Sequence, residues 1–407
     1  MSSETGTATS GMGEEVSSVA SRFYAASALF NGATEVVTIV LATGPAPSTQ
    51  DVREWQERHT VLQLIPGLNR MGILTLYPPK DSGLLEEHSE QNFVCGQHAR
   101  LYERKPILDI INLGLNEPLG RHLWRLSLVW LPEQDSPKES GSATWALVWR
   151  RNHLISDAYT TDVLLADLIN NTSATVDRTS RTWSPAAAVP HTVVSNTVGS
   201  TALTLIRQVD WSDHAQAVLT KLKQAHGISS SAAIGAALAS CSLFPRTGGL
   251  HVAYSRRKSH DAIPGCRIGV LSVPLTEISG NMSAMVQTAE ALDARFRAIA
   301  RSPKRDVTEK WEFSLRAAEL SCRVALGPCV TNSGTYSRLS VIAGVLAVST
   351  AVDRKQGNYT VVAHIHHFKG AIDVTLAASS EVVTELQLNM IAVSLQDTFA
   401  NLQVGEE

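Results

Sequence analysis

The stretch Trp145-Ala-Leu-Val-Trp-Arg-Arg-Asn-His-Leu-Ile-Ser-Asp-Ala158 decides how the rest of the chain is read. Its first five residues form a continuous apolar run, the signature of a buried strand. Beyond it, Val163, Leu164, Leu165, Leu168 and Ile169 recur at helical spacing. His153 and Asp157 therefore fall at a strand-to-helix junction, where a rigid scaffold can hold an imidazole at the edge of a cleft. Histidine is the side chain best suited to moving a proton near neutral pH. Asp157 is placed to fix either the loop or the ring through a charge-assisted hydrogen bond. An isolated H-x-x-x-D spacing also arises on ordinary surfaces, so its meaning rests on what surrounds it.

The chain has 407 residues, more than one core usually fills, so two lobes are expected. A net charge of -3 with no basic stripe argues against nucleic acid as a partner. The five cysteines (Cys95, Cys241, Cys266, Cys322 and Cys329) are scattered without a C-x-x-C, as in a reduced, cytoplasmic protein with buried thiols. No apolar run reaches membrane-spanning length and no secretory signal is expected at the start.

Residues 1–18 are Ser, Thr, Gly and Glu with few apolar anchors and are expected to be disordered. Residues 22–30 suit a short helix and 35–42 a strand. Ser48 or Thr49 is expected to cap a helix running to about Leu64, stopped by Pro66-Gly67. Strands are expected at 72–77, 121–131 and 143–150, the last two as a hairpin feeding His153. From about Asn170 to Ser200 the composition turns to Asn, Thr, Ser, Pro and Ala, as in a crossover between lobes. The domain division is then 1–18, an N-terminal lobe 19–170, a linker 171–200 and a C-terminal lobe 201–407. The second half offers strands at 203–209, 251–255, 269–275, 324–330, 339–348, 359–366 and 371–376. Its helices are expected at 212–225, 232–243, 282–300 and 381–402, the last capped by Ser379 or Ser380.

In this order, the elements around the H-x-x-x-D resemble the superfamily of chloramphenicol acetyltransferase. That superfamily includes the condensation domains of nonribosomal peptide synthetases, the plant acyl-CoA-dependent acyltransferases and the alcohol acetyltransferases. Ser21-Arg-Phe-Tyr-Ala-Ala-Ser is similar to the start of the alcohol acetyltransferase branch, and Val330-Thr-Asn-Ser-Gly334 to its Ser-Asn-Leu-Gly turn. Tyr254-Ser-Arg-Arg257 followed by Arg267-Ile-Gly-Val270 resembles the segment where an arginine precedes an Ile-Gly-Asn turn. The chain departs from the family at Asn152, where a first histidine is usual, at Ala158, where a glycine is usual, and at Val270. It also lacks the C-terminal Asp-Phe-Gly-Trp-Gly of the plant enzymes.

The resemblance implies an α/β fold of two lobes, each a mixed sheet flanked by helices, with an active-site tunnel between them. It implies acyl transfer from a coenzyme A thioester to a hydroxyl or amine of a small molecule in secondary metabolism. His153 would be the general base. Asp157 would support the loop, paired with Arg256, with Arg257 close behind. Within the turn at 331–334, Asn332 and Ser333 are candidate donors to the oxyanion; the same turn also reads as an ordinary polar turn. Arg257 and Lys258, with Arg256, could meet coenzyme A phosphates, as could Arg301, Lys304 and Arg305, or both clusters could be solvated surface. No bound cofactor, metal, nucleic acid or membrane span is expected, and the chain is expected to act as a monomer. A carrier-protein-dependent condensing enzyme and a natural-product cyclase fit the same fold. A non-catalytic binding protein fits less well, because a binder has no use for a base. His364-Ile-His-His367 has metal-ligand residue types, but strand alternation puts His367 on the face opposite His364 and His366. Trp145 and Trp149 share a strand face and read as core.

Overall fold

The computed structural model describes residues 14–15, 36–68, 74–77, 93–96, 115, 119, 123–130, 144–171, 202–244, 248–255, 268–275, 278, 284–301, 327–354 and 359–402. The first half contains β1 (Glu14–Glu15), β2 (Val36–Ala42), α1 (Thr49–Arg58), β3 (Ile65–Leu68), β4 (Leu74–Tyr77), β5 (Phe93–Gly96), β6 (Trp124–Trp130), β7 (Trp145–Arg151) and α2 (Ala158–Asn170). Next come β8 (Thr204–Gln208), α3 (Asp213–Ala225), α4 (Ser230–Ser240), β9 (Gly249–Ser255), β10 (Ile268–Pro274) and α5 (Met285–Arg301). Last are β11 (Cys329–Thr335), α6 (Ser337–Ser340), β12 (Val345–Val352), β13 (Val362–Phe368), β14 (Ala371–Ser379) and α7 (Glu385–Ala400).

Two mixed sheets carry the architecture. One has five strands in the order β12-β2-β7-β6-β5, and the other six in the order β10-β9-β11-β13-β14-β8. This is the two-sheet, helix-flanked α/β fold that the sequence implies. The expected hairpin is present, with β6 and β7 antiparallel and Trp130 opposite Trp145. Every residue of β7 is buried, as its unbroken apolar run requires.

On one face of the five-stranded sheet, Trp149 and Trp124 both meet Trp55 of α1 edge-on, at centroid distances of 6.0 and 5.4 Å. The Trp55 indole N–H donates to the Leu164 carbonyl of α2 at 2.8 Å. Trp145 and Trp149 are thus core residues, and truncating either to Ala costs about 3–5 kcal/mol. Opposite them, Val37, Ile39, Ala146, Val148 and Ala351 form a smaller cluster reached by Ile206 of the other sheet.

The largest core lies between the six-stranded sheet and helices α3, α4, α5 and α7. The small side chains of α4 let it approach closely: a Cβ added at Gly235 would stand 3.1 Å from the Leu250 side chain. Because side chains alternate along a strand, the sheet's opposite face carries His251, Ser272, Thr331, His364, His366 and Thr375, a polar surface. β12 packs on β13 and β14 at that face, and the His366 ring hydrogen-bonds the Val348 carbonyl at 2.8 Å.

Several expectations are corrected. Residues 339–348 form no single strand: α6 comes first, then a turn at Gly344, then β12. That turn demands glycine, because an added Cβ would sit 2.8 Å from the Thr43 carbonyl oxygen. β12 pairs antiparallel with β2, so residues from the second half complete the first sheet. The first helix ends at Arg58 rather than near Leu64, and Pro66 lies in edge strand β3, where a missing N–H is tolerated. The closing helix is capped by Thr384 in a capping box with Gln387, not by Ser379 or Ser380. Within the stretch expected to be disordered, Glu14 and Glu15 pair with Leu76 and Thr75; backbone pairing needs no apolar side chain. The expected helix at 22–30 and the linker from 172 to 200 lie outside the described residues.

Candidate active site

β7 ends at Arg151, and the chain turns through one 3-10 turn, His153–Ile155, before α2 begins. Asn152, where the family resemblance leads one to expect a histidine, caps that turn. Its side-chain oxygen accepts from the Leu154 N–H at 2.9 Å, and its own N–H donates to the Leu123 carbonyl at 2.7 Å. Asn152 is fully buried and holds the His153 backbone in place.

His153 itself is partly buried. Burial keeps its imidazole below the ordinary value of 6.5, and the nearby Arg151 cation acts in the same sense while Asp157 opposes both. The ring is therefore neutral at neutral pH, with a lone pair to accept a proton.

Asp157 is the N-cap of α2, its carboxylate accepting from the Thr160 N–H at 2.9 Å. It is buried and lies within electrostatic reach of Arg151. Arg256, Arg257 and Lys258 lie outside the described residues, as do Lys304 and Arg305.

Arg151 went unnoticed in the sequence and is central in the structure. Its guanidinium is 2% exposed and donates from Nε to Ser156 Oγ (3.0 Å), from Nη1 to Thr38 Oγ1 (3.0 Å) and from Nη2 to Thr161 Oγ1 (2.8 Å). It also lies over the Trp149 ring at 4.3 Å. Burial lowers its pKa to about 10, so it remains a cation at neutral pH.

Residues 331–334, expected as a turn, instead lie within β11, whose parallel ladder with β13 bulges between Asn332 and Thr335, and β11 contacts α2. Asn332 braces the bulge, donating to Ser231 Oγ of α4 at 3.1 Å and accepting from the Gly334 N–H at 2.7 Å. Gly334 adopts φ +70, a left-handed conformation that favours glycine. Ser333 Oγ hydrogen-bonds His364 Nε2 at 2.5 Å.

The His364 ring is 5% exposed and is held well below 6.5, first by burial and then by the neighbouring charges of His366, His153 and Arg151. His153 and Arg151 thus lie within electrostatic reach of the ring that Ser333 hydrogen-bonds. Beyond Ser333, Asp162 of α2 accepts from the N–H groups of Arg338 and Leu339, both at 3.0 Å, and so caps α6.

Other residues singled out in the sequence play lesser parts. His364 and His366 share a strand face with ring centroids 6.3 Å apart, while His367 on the other face hydrogen-bonds Ser230 at 3.0 Å. Among the described residues no three His, Cys, Asp or Glu side chains gather as a metal site requires. Cys329 is a buried free thiol pushed up to about 12 by burial, far from a reactive thiolate. Cys95, Cys266 and Cys322 lie outside the described side chains. No helix among the described residues is long and apolar enough to cross a membrane.

No family model matches the sequence, and no curated protein matches it. Solved structures do share the fold. The chain is similar to trichothecene 15-O-acetyltransferase from Fusarium sporotrichioides, at 14% identity and TM-score 0.62 over 92% of this chain and 93% of that one. It is similar to the first condensation domain of the CDA synthetase, at 14% identity and TM-score 0.61 over 96% and 97%. A third is polyketide synthase associated protein 5 from Mycobacterium tuberculosis, at 12% identity and TM-score 0.59 over 92% and 96%.

Proposed function

We propose that this chain, which has the chloramphenicol acetyltransferase and condensation-domain fold, is an acyltransferase that moves an acyl group from a coenzyme A thioester to a hydroxyl or amine of a small molecule. The observation that carries the reading is His153: an imidazole held below its ordinary value on a capped turn, within electrostatic reach of His364, the partner of Ser333. An O-acetyltransferase and a condensation domain among the fold's solved members support the reaction class.

In this mechanism His153 removes the acceptor proton as the acceptor oxygen or nitrogen attacks the thioester carbonyl. The tetrahedral intermediate collapses, the C–S bond breaks, and His153 returns the proton to the leaving thiolate. Positioned base catalysis of this kind contributes about 10²–10⁴ in rate. Ser333 is the donor to the developing oxyanion, and Asn332 braces the bulged end of β11 beside it. Asp157 holds the junction by capping α2, and Arg256 is its proposed ion-pair partner. Arg257 and Lys258 are proposed to meet the coenzyme A phosphates. The protein is proposed to act as a cytoplasmic monomer in secondary metabolism.

The experiment mixes the protein with acetyl-CoA and a panel of alcohols and amines and reads free thiol with a colorimetric reagent. Thiol release that depends on the acceptor, with a melting temperature raised by coenzyme A, is the expected result. No release and no stabilisation across short and long acyl donors would overturn the free-thioester reading in favour of a carrier-bound donor or a cyclase.

A further inference from the structure

Away from His153, the polar face of the six-stranded sheet carries a second group of ionisable side chains. His251 lies opposite Cys329 in the parallel pairing of β9 with β11, and its Nδ1 meets Ser272 Oγ of β10 at 2.7 Å. The Tyr359 ring stands 4.9 Å from the His251 ring, centroid to centroid. Arg354, two residues past β12, places its guanidinium over that tyrosine ring at 5.4 Å. A cation, a phenol and an imidazole thus adjoin one another beside Ser272, which is exposed.

The backbone of Arg354 is anchored, its N–H donating to Thr204 Oγ1 at 2.9 Å. Thr204 in turn donates to the carboxylate of Asp353, so the acid next to Arg354 in the chain is already engaged by a hydroxyl. The guanidinium is not satisfied in the same way. Its Nε and Nη2 are buried and have no hydrogen-bond partner. Arg151 is the contrast, donating from all three of its side-chain nitrogens to hydroxyls. A guanidinium stays charged and offers five N–H donors, and leaving such donors buried and unpaired is costly. Cys329 supplies no thiolate to balance the charge, because burial pushes its thiol up to about 12. Arg354 as a whole is half-buried, so the residue borders solvent although those two nitrogens do not.

Nε and Nη2 form the edge of the fork that grips a carboxylate through two parallel N–H···O bonds. Cys329 and Ser333 are four residues apart on β11, about 13 Å at the rise of a strand. Thr331 lies between them, opposite His364. The group around Arg354 therefore sits along the same sheet face as the proposed oxyanion donor, at a distance that a substrate chain can span.

We propose that Arg354, with Tyr359, His251 and Ser272 around it, is a subsite for a carboxylate that the substrate carries about 13 Å from its reacting carbonyl. This rests on the acyl-transfer reading above and names its substrate class: an elongated acid rather than a neutral alcohol or a plain fatty acyl chain. The carboxylate belongs either to the acceptor or to the far end of the acyl group, and the test tells these sources apart.

The test uses the full chain and two matched ten-carbon pairs that differ only at the far end. The acceptor pair is 10-hydroxydecanoate and 1,10-decanediol; the donor pair is sebacyl-CoA and decanoyl-CoA. Calorimetry gives Kd for each without turnover. In one pair the acid should bind about ten- to hundredfold more tightly than its neutral partner. A preference in the acceptor pair places the carboxylate on the acceptor, and one in the donor pair places it on the acyl group. Arg354→Gln should erase that preference, and Arg354→Lys, which keeps the charge but not the fork, should weaken it. Without ligand, Arg354→Gln should melt no lower than the parent, because the cation it removes has no partner at its fork.

No preference in either pair, a preference that survives in Arg354→Gln, one undiminished in Arg354→Lys, or a markedly lower melting temperature of unliganded Arg354→Gln would overturn the proposal. Thiol release separates the two ideas. Turnover without any preference for the acid keeps acyl transfer and strikes the subsite, whereas tight binding of the acid with no thiol release from any donor keeps the subsite and strikes acyl transfer.

Discussion

Asp162 of α2 and Leu339 of α6 lie 177 residues apart in sequence and are joined by a hydrogen bond of 3.0 Å, the Leu339 N–H donating to the carboxylate. α2 is the helix that follows His153 and Asp157, and α6 is the turn that follows Ser333. This contact, with the Arg338 N–H on the second oxygen, holds the two halves of the site in register. Asp162→Ala would leave buried N–H groups without acceptors, a cost of about 1–3 kcal/mol. The melting temperature should fall accordingly, and kcat should fall with it. A variant as stable and active as the parent would show that the cap does not hold the site together.

Asn152 makes a second, more local prediction. Its side chain caps the 3-10 turn that carries His153. Asn152→Ala should cost about 0.5–2 kcal/mol, in the range of other capping residues. Its effect on kcat should be larger than that on stability, because the turn it frees bears the base. Thermal melts and steady-state rates on the same preparation compare the two directly. An Asn152→Ala protein with lowered stability and unchanged kcat contradicts the role given to the cap.

Stability should also depend on pH in a defined direction. His153, His364, His366 and His367 are all held below 6.5, in each case chiefly by burial. The unfolded chain takes up protons on these rings near pH 6.5, whereas the folded chain resists doing so. The unfolded state then binds more protons, so stability rises with pH. It is fully present above the unfolded value and is lost as pH falls below 6.5. Melting temperatures from pH 8 to 5 should decline on the acid side, and less steeply in His364→Asn. A melting temperature that holds or rises toward pH 5 would contradict the buried neutral histidines.

How much of this was legible in the sequence depends on the range of the interactions involved. The β6–β7 hairpin and the strand–turn–helix around His153 were readable because apolar runs and helical spacing are local patterns. The helix expected at 212–225 was readable for the same reason, and it runs from Asp213 to Ala225. The pairing of β12 with β2 was not, because nothing in residues 345–352 names a partner 300 positions earlier. Arg151, Thr38, Thr350 and Tyr336 escaped notice as well. Each is unremarkable in its own segment, and the line of hydrogen bonds from Arg151 through Thr38 and Thr350 to the Tyr336 hydroxyl exists only once three strands and a turn are assembled. His364 was noticed as a strand-face histidine, but its bond to Ser333 depends on the parallel pairing of β11 with β13.

The central claim is that His153 is the base of an acyl transfer, and its most direct test is the acyl-transfer rate of His153→Ala beside the parent. His153 lies on the rim of a turn rather than in the packed core, so the variant should fold and still gain melting temperature from coenzyme A. With acetyl-CoA and the acceptor that the panel identifies, its kcat should fall by about 10²–10⁴. A folded His153→Ala protein that turns over within a few-fold of the parent would contradict the account.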